Sequence, residues 1–586
     1  MLAQVPNPEE RDWRRILRSI ERWVDDARIA FPALLVLQAK AVWGIWQWKD
    51  LSAGDTSYYF AGASGWAESL HTDLVWSPLY LVYYGSMQWI ARDPFTVTLA
   101  HRLVLVAVVD VLVLALFRRL LPPAIAWMLA AWWAVLPINF DTLYEVHLFA
   151  AVPTLAAALT AASVRGIGGR AATLGVLLGA TLFVRNEFLI ASALWLVACV
   201  VVDGRRALVG RGVATHAAIA YFGALLAVAA MGGVLYLRCP ATLRQLRSGM
   251  RQKHTQNVCQ IYAFGYQQRH EDWRKSPWTE CQDLMRRDFG VDEPTMLEAI
   301  ARNPRAMLEH FAWNVRLIPS GVQLQLFDRA SGAANPDYVP SGVLESHAAL
   351  VLSLLVLSLF VCGAWVLVRE RQFWWNQWVR DRQAGWAVLG CLSATALFVM
   401  IMQRPRPSYL FNESVTLMAL VGMALCALLG LRRADALGRA IVPLAVILIA
   451  AFPSHYDSAY RQASGQHGQA LRAMVHRLWP FRDRFAGATH GFLALSLPID
   501  ACCYLGGSHP CRGFELAPLL SKPPDRSPAG RLDEQGIDLI YANEQAEKES
   551  GLPALLSGLE GHGWERIAPV ASSQESWVLL SREALP

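Results

Sequence analysis

Charged residues are scarce in this chain of 586 residues, where they make up 17% of the sequence against 54% for hydrophobic residues. Soluble globular chains carry about 25% charged residues. The apolar residues form long runs separated by short arginine-bearing segments. This pattern excludes one large soluble core and indicates repeated membrane spans. The net charge of +6 is modest and shows no basic stripe, so a nucleic-acid-binding protein is not indicated.

Other signals are also missing. There is no internal repeat, no low-complexity tract, and no CxxC spacing to support a zinc site. The first apolar run lacks a small-residue cleavage site, so we expect an uncleaved anchor. Outside the apolar runs, the cysteines form two groups, and an oxidising compartment would allow one disulfide within each. These groups are Cys239, Cys259 and Cys281, and Cys502, Cys503 and Cys511.

The apolar runs predict about eleven transmembrane helices, because a span needs about 20 residues of low polarity. The predicted spans are 30–47, 97–117, 122–138, 143–163, 171–185, 188–203, 213–236, 346–368, 384–402, 414–431 and 438–453. With the N-terminus inside, the inner loops contain most of the arginines and the outer turns contain few. Cytoplasmic loops are enriched in Lys and Arg, which favours this orientation. The expected location is a bacterial inner (plasma) membrane.

This pattern divides the chain into three predicted domains. Residues 1–29 are arginine-rich and predict a cytoplasmic amphipathic helix, and residues 30–453 predict a transmembrane glycosyltransferase-like domain with outer loops at 48–96 and 237–345. Residues 454–586 predict a small extracytoplasmic α/β domain, with a helix face at 471–479 and strands at 492–497, 537–541 and 577–580. The fold class is therefore an α-helical polytopic membrane protein with a C-terminal α/β domain.

Asp55 follows the first span in the segment Gly54-Asp55-Thr56-Ser57-Tyr58-Tyr59. A carboxylate at the membrane boundary can accept a proton from a hydroxyl nucleophile, and partial burial raises its pKa toward a useful range. The same residue can instead cap the N-terminus of a helix. Position alone leaves both interpretations open.

Further short segments occur in a distinctive order along the chain. They are Trp76-Ser77-Pro78-Leu79-Tyr80, His101-Arg102-Leu103, Arg185-Asn186-Glu187 and Arg406-Pro407-Ser408-Tyr409. Together with Asp55, they resemble the GT-C superfamily of membrane glycosyltransferases. That superfamily includes protein O-mannosyltransferases and the aminoarabinose transferase that modifies lipid A. The resemblance covers roughly residues 30–430.

The resemblance implies an inverting transfer of a sugar from a polyprenyl-phosphate donor to an acceptor hydroxyl on the outer side of the membrane. Asp55 would be the general base. The acceptor would be a glycan, lipid or protein. No cofactor is certain, although a divalent cation is possible.

Outward arginines are candidates for the donor phosphate, because their planar fork holds phosphate at two points. The candidates are Arg102, Arg185, Arg404 and Arg406. Contact with outer lipid headgroups is an equally open alternative for the last three, and Arg102 can also close the outer end of the second span.

A further group of residues could bind the sugar or acceptor, or support the site. It comprises Tyr58, Asp141, Glu145, His147, Glu187 and Tyr409. Asp141 and Glu145 are four residues apart and would share a helix face, where they could bind sugar hydroxyls or a cation, or simply cap the helix. Glu187 could orient Arg185. Tyr58 belongs to an aromatic belt, some of whose members could stack on sugar rings.

Two charges lie within predicted spans, Lys40 in the first and Asp110 in the second. Lone charges in a membrane are costly, so we predict a structural ion pair between them. Two other functions share the membrane architecture: a lipid-linked sugar transporter or flippase, and a non-catalytic membrane assembly protein. A transporter should show repeats and broken helices, which the sequence does not.

Overall fold

The computed structural model describes residues 24–43, 51, 55–91, 93–140, 145–209, 211–338 and 342–430, and short segments of the C-terminal part between 445 and 581. Up to residue 430 the described segments are mainly helical. In chain order the helices are α1 (Ala27–Ala41), α2 (Asp55–Ser69), α3 (Pro78–Met87), α4 (Pro94–Leu120), α5 (Pro123–Val135), α6 (Pro137–Phe140), α7 (Glu145–Ser163), α8 (Gly166–Phe183), α9 (Leu189–Val209), α10 (Arg211–Leu237), α11 (Leu243–Arg269), α12 (Cys281–Phe289), α13 (Met296–Arg302), α14 (Pro304–Phe327), α15 (His347–Arg369), α16 (Arg371–Trp374), α17 (Gln383–Met402) and α18 (Phe411–Leu429).

Eight of these helices are long and apolar enough to cross a membrane, namely α4, α7, α8, α9, α10, α15, α17 and α18. Each overlaps a predicted span. The short apolar helix α5 overlaps the predicted span 122–138, and α1 overlaps 30–47. The last predicted span, 438–453, lies almost entirely outside the described residues. The chain is thus an α-helical polytopic membrane protein.

The apolar surfaces of two helices fit a lipid environment. In α10 and α15 only 11% of the span is buried inside the protein, although both are strongly apolar. Apolar side chains left outside the protein core in this number need an apolar solvent. These two helices are therefore expected to contact lipid.

Two contacts test whether segments predicted on the cytoplasmic side lie together. The Arg118 guanidinium, near the end of α4, donates to the carbonyl oxygens of Val24 and Asp25 at 2.7 Å each, just before α1. Arg165, between α7 and α8, pairs with Asp381 before α17 at 3.1 Å. In each case two segments predicted on the same side are in contact, as strict alternation of the spans requires.

The long loop 237–345, which the sequence predicts on the outer side, contains its own small hydrophobic core. Its helices α11 and α13 begin with capping boxes, in which Thr242 pairs with Gln245 and Thr295 pairs with Glu298. A disulfide joins Cys259 to Cys281 and ties α11 to α12, so one disulfide in this group is confirmed. Cys239 is unpaired. The corresponding prediction for the tail includes Cys511, which lies outside the described residues.

The chain divides into two compact units. The first contains Met1–Ile45 and Arg102–Ala463, and the second contains Trp46–His101 and Ser464–Pro586. In the second unit, the Phe60 ring on α2 lies 4.9 Å from the ring of Tyr504, on α19 (Ala501–Leu505). The first outer loop, which the sequence grouped with the membrane domain, therefore packs with the tail.

The tail contains a five-stranded sheet. Its strands are β1 (Gly491–Leu495), β2 (Arg512–Phe514), β3 (Ile537–Asn543), β4 (Glu565–Ile567) and β5 (Trp577–Ser581), in the order β2-β1-β3-β5-β4. Strand β1 runs parallel to β2 and β3, whereas β5 runs antiparallel to β3 and β4. Strands β1, β3 and β5 overlap the segments 492–497, 537–541 and 577–580, which the sequence predicted as strands.

The predicted ion pair between Lys40 and Asp110 is wrong. Asp110 is fully buried and neither of its carboxyl oxygens has a hydrogen-bond partner within the described part of the chain, whereas Lys40 is exposed. Gln38 faces α4 instead, since its amide donates to the Val106 carbonyl at 3.3 Å. At about 100° per residue, two residues separate Gln38 and Lys40 by about 200° around the helix. Lys40 therefore faces away from α4.

Candidate active site

Asp55 is the first residue of α2 and its side chain is exposed. The helix N-terminus carries a partial positive charge, which stabilises a carboxylate there. Tyr58, one turn later, is 60% exposed. Both residues therefore present accessible polar groups, and the capping interpretation of Asp55 is compatible with this position.

The segment Trp76–Tyr80 supports the helix that carries Asp55. The Tyr59 ring of α2 packs edge-on against Trp76 at 5.7 Å and Tyr80 at 5.1 Å, and its hydroxyl lies 3.4 Å from Ser77 Oγ. Ser77 has a positive φ of 46° directly before Pro78. Non-glycine residues rarely adopt this conformation, which the surrounding packing must maintain.

The first unit contains a pocket whose space, counted together with open solvent, is about 380 Å³. It lies where the start of α7, the turn after α8 and the turn before α18 meet. Four residues predicted from the sequence line it: His147, Arg185, Glu187 and Tyr409. The sequence predicted each on an outer turn, and the structure brings all four together.

Arg185 is held in place by two hydrogen bonds. Its Nε donates to Glu187 Oε1 at 2.5 Å, and its Nη1 donates to His147 Nε2 at 2.7 Å. Because arginine only donates, His147 Nε2 must accept, so this imidazole is neutral. Glu187 therefore contacts Arg185 directly.

The Tyr409 ring contacts His147, Arg185 and Arg406. The His147 ring stacks on it at 4.7 Å, and the guanidinium carbons of Arg185 and Arg406 each lie 5.3 Å from its ring centroid. An aromatic face attracts guanidinium groups at this distance. One tyrosine therefore holds two arginines close to the same pocket.

The turn between α17 and α18 places Arg404 and Arg406 against the end of the outer loop. Arg406 Nε donates to Asp337 Oδ1 at 2.9 Å, and its guanidinium lies 4.0 Å from the Tyr338 ring centroid. Arg404 Nη2 donates to the Asn335 carbonyl at 3.0 Å. Sequence reasoning missed Asp337 and Tyr338. The signal was Asn335-Pro336-Asp337-Tyr338, a turn-forming segment late in the outer loop.

A close backbone contact fixes this turn. A Cβ atom at Gly321 of α14 would lie 2.2 Å from the Pro405 carbonyl oxygen. Only glycine therefore fits at position 321 without moving the turn. The packing of α14 against Pro405 sets the positions of the arginines on either side of it.

Arg404 is 1% exposed, and its Nε and Nη1 have no hydrogen-bond partner among the described residues. Burial lowers the pKa of Arg404 to about 10, so it remains charged at neutral pH. Burial raises the pKa of Tyr338 to about 12, so its phenol remains protonated. The site is therefore cationic, with donors available for an anion.

Arg102 and Glu145 form a buried ion pair, with side chains 3% and 2% exposed. This pair joins α4 to the start of α7. Glu145 was predicted to share a face with Asp141, which lies outside the described residues. Within the described ranges, no group of three or more His, Cys, Asp or Glu side chains could hold a metal ion. A divalent cation stays a prediction.

The fold and these sites define a polytopic membrane protein with a pocket of arginine, histidine and tyrosine, and with a carboxylate at the start of an outer-loop helix. No family model and no curated protein matches the chain.

The chain is similar to several solved structures at low sequence identity. The apo oligosaccharyltransferase of Archaeoglobus fulgidus is 13% identical, with 93% of this chain and 74% of that chain covered and a TM-score of 0.45. The oligosaccharyltransferase AglB of the same organism, in complex with an inhibitory peptide and a dolichol-phosphate, is 12% identical, with coverages of 94% and 74% and a TM-score of 0.39. ArnT from Cupriavidus metallidurans, bound to undecaprenyl phosphate, is 11% identical, with 98% of each chain covered and a TM-score of 0.37.

Proposed function

We propose that this chain is an inverting membrane glycosyltransferase that moves a sugar from a polyprenyl-phosphate donor to an acceptor hydroxyl on the outer side of the membrane. The observation that carries the proposal is the pair of guanidinium groups on Tyr409: Arg185 lines the pocket with Tyr409, and Arg406 lies 5.3 Å from the same ring. Guanidinium groups are suited to phosphate, because their planar fork can donate to two phosphate oxygens. The acceptor is a glycan, lipid or protein.

In the proposed reaction, the Asp55 carboxylate takes the proton of the acceptor hydroxyl. The acceptor oxygen forms a bond to the anomeric carbon from the face opposite the phosphate. The bond between that carbon and the phosphate oxygen breaks, and the lipid phosphate leaves with the electron pair. The configuration at the anomeric carbon is inverted, and the proton stays on Asp55 until water removes it.

Negative charge grows on the departing phosphate during this step. Cationic donors fixed where that charge develops lower the barrier, because they need no reorganisation. Arg185 is fixed by Glu187 and His147, and Arg406 is fixed by Asp337. We assign donor-phosphate binding to these two arginines.

The remaining predicted residues take supporting roles in this proposal. Arg102 and Glu145 hold α4 against α7 through their buried ion pair. His147 positions Arg185 and packs on Tyr409. Tyr409 and the exposed Tyr58 are the side chains we assign to sugar or acceptor contact.

The proposal is tested by the binding of undecaprenyl phosphate and dolichyl phosphate to the purified chain in detergent. An arginine–phosphate interaction contributes roughly 1.5–3 kcal/mol, so we expect Arg185→Gln and Arg406→Gln each to weaken binding by about tenfold or more. Arg165→Gln is the control, because Arg165 is 75% exposed on a different loop. Equal affinity in all four proteins would refute the assignment of these arginines to the phosphate.

A further inference from the structure

The segment that connects α15 to α17 presents exposed arginine and aromatic side chains. It covers residues 369–382, from the last residue of α15 to the residue before α17, and we call it the α15–α17 connector. Within it, the helix α16 is followed directly by a π-helical turn, Trp375–Val379. Most of the connector therefore has a regular backbone, which holds its side chains in defined positions.

Both ends of the connector lie where a membrane span ends. Helix α15 has 23 residues and α17 has 20, so at about 1.5 Å per residue each is long enough to cross the hydrocarbon layer of a bilayer. In the second half of α15, Val361, Trp365 and Val368 are exposed and share one face. The connector therefore continues from a helix surface that is expected to contact lipid, at the level of the headgroups.

Neighbouring aromatic residues of the connector differ sharply in burial. Trp374 is buried, and its ring packs against the end of α18, where a Cβ atom on Gly430 would stand 3.1 Å from it. Phe373 and Trp375 on either side are 55% and 51% exposed. Tryptophan is enriched at the bilayer interface, where one part of the ring is apolar and the other wet. Trp374 thus fixes the connector to the helices, while its two neighbours remain accessible to lipid.

Three arginines of the connector have no partner within the part of the chain that the structure describes. Arg369, Arg371 and Arg380 are exposed, and their guanidinium groups make no hydrogen bond or ion pair there. An exposed guanidinium on a long aliphatic stem can reach an anion in the adjacent headgroup layer while the stem stays on apolar surface. The connector is therefore a source of free cationic donors beside the bilayer.

Acidic groups do not cancel this charge. The connector contains Glu370 and Asp381 against four arginines. Asp381 pairs with Arg165, in the loop between α7 and α8, at 3.1 Å, and its charge also acts on Arg382. Arg165 thus brings a further positive charge to the same surface. The net charge of the connector stays positive, which favours an anionic partner.

From this arrangement we infer that the α15–α17 connector binds the headgroups of anionic phospholipids. The free guanidinium groups would donate to phosphodiester oxygens, and the rings of Phe373 and Trp375 would lie at the boundary with the acyl chains. Lipid is the partner that the position favours, because the connector begins where the lipid-facing helix α15 ends. The inference does not rest on the proposed sugar transfer, since no residue of the pocket around Tyr409 belongs to the connector.

The test is native mass spectrometry of the purified, delipidated full chain, titrated in detergent with phosphatidylglycerol and separately with phosphatidylcholine. We expect the parent chain to bind the anionic lipid more tightly. A basic residue near an anionic lipid surface contributes about fivefold in affinity, so Arg371→Gln combined with Arg380→Gln should weaken phosphatidylglycerol binding by about tenfold or more. Phosphatidylcholine binding should not change. Arg305→Gln, which removes an exposed charge from α14, is the control.

A conservative variant separates the effect of charge from an effect on the fold. Arg371→Lys combined with Arg380→Lys keeps both charges and should retain the preference for phosphatidylglycerol. Loss of that preference in the glutamine variant but not in Arg185→Gln supports the connector site even if the donor-phosphate proposal fails.

Three results would overturn the inference. The first is equal affinity of the parent chain for the two lipids, and the second is unchanged phosphatidylglycerol affinity in the glutamine variant. The third is a change from dimer to monomer in that variant without any change in lipid affinity, which would show that the connector binds a second copy of the chain.

Discussion

Tyr409 shows how one side chain can gather a site from distant parts of the sequence. The residues around it come from positions 147, 185 and 406, and each contacts the ring directly. A phenol ring can attract cations on both faces while its hydroxyl stays available. We propose that this ring places the arginines at a distance from each other that a phosphate can bridge.

His310 gives a prediction at the residue scale that concerns pH. Burial, with a smaller contribution from the Arg269 charge, lowers the pKa of His310 to about 3 from its usual value near 6.5. Between about pH 3 and pH 6.5, His310 is therefore neutral in the folded protein and protonated in the unfolded chain. Stability is fully present above about pH 6.5 and falls as the pH drops toward 3, by up to roughly 1.4 kcal/mol per pH unit.

The measurement is the free energy of unfolding in detergent between pH 4 and 7. We expect His310→Gln to have a shallower decline toward acid than the parent chain. The exposed His347→Gln is the control and should keep the parent's slope. Identical slopes in the parent and His310→Gln would show that this histidine does not titrate as described.

At the scale of elements, the turn between α17 and α18 depends on α14. Gly321 allows the Pro405 carbonyl to approach the helix backbone. In Gly321→Ala, the added methyl group would overlap the Pro405 carbonyl oxygen. Because the backbone of α14 is held by its own hydrogen bonds, the turn would have to move instead. We expect α14 to remain helical while Arg404 and Arg406 shift, which lowers the affinity for undecaprenyl phosphate roughly tenfold.

This effect is measured by the same lipid phosphate titration, with helical content followed by circular dichroism. Gly223→Ala is the matched control, since a Cβ there meets nothing within 4 Å. Parent-like affinity in Gly321→Ala would mean that the turn tolerates the methyl group and that its position does not govern binding.

The sequence predicted the elements better than their contacts. Apolar runs located the membrane helices, and alternation located β1, β3 and β5, because both patterns are local. The same reasoning gave the pocket residues His147, Arg185, Glu187 and Tyr409 as outward groups. It missed Asp337 and Tyr338, which both contact Arg406. Asp337 lies 69 residues before Arg406, and a contact between residues so far apart leaves no local pattern in the sequence.

At the scale of the whole molecule, the prediction concerns orientation. Arg118 contacts the segment before α1, and Arg165 contacts Asp381; we predict that these arginine-rich ends are cytoplasmic, because cytoplasmic loops are enriched in Lys and Arg. A disulfide joins Cys259 to Cys281 in the loop that the same alternation predicts on the opposite side, where an oxidising compartment would keep it intact. We expect alkaline phosphatase, which requires an oxidising compartment, to be active when fused within the outer loop after Arg274.

The same reporter fused after Arg369 should be inactive, whereas a fluorescent protein that matures in the cytoplasm should be bright there. Phosphatase activity after Arg369, or its absence after Arg274, would reverse the assigned orientation. Asp55 would then lie on the cytoplasmic side, and the acceptor would have to be found there.

The central claim is that Asp55 is the base of a sugar transfer, and glycan loss in the host is its most direct test. Asp55→Asn keeps the shape but cannot take the proton, so we expect transfer to fall by at least about a hundredfold. Protein level and undecaprenyl phosphate binding should stay at the parent's values, and the exposed Asp73→Asn in the same outer segment should keep full transfer. A normal glycan in Asp55→Asn cells with a normal amount of protein would contradict the account.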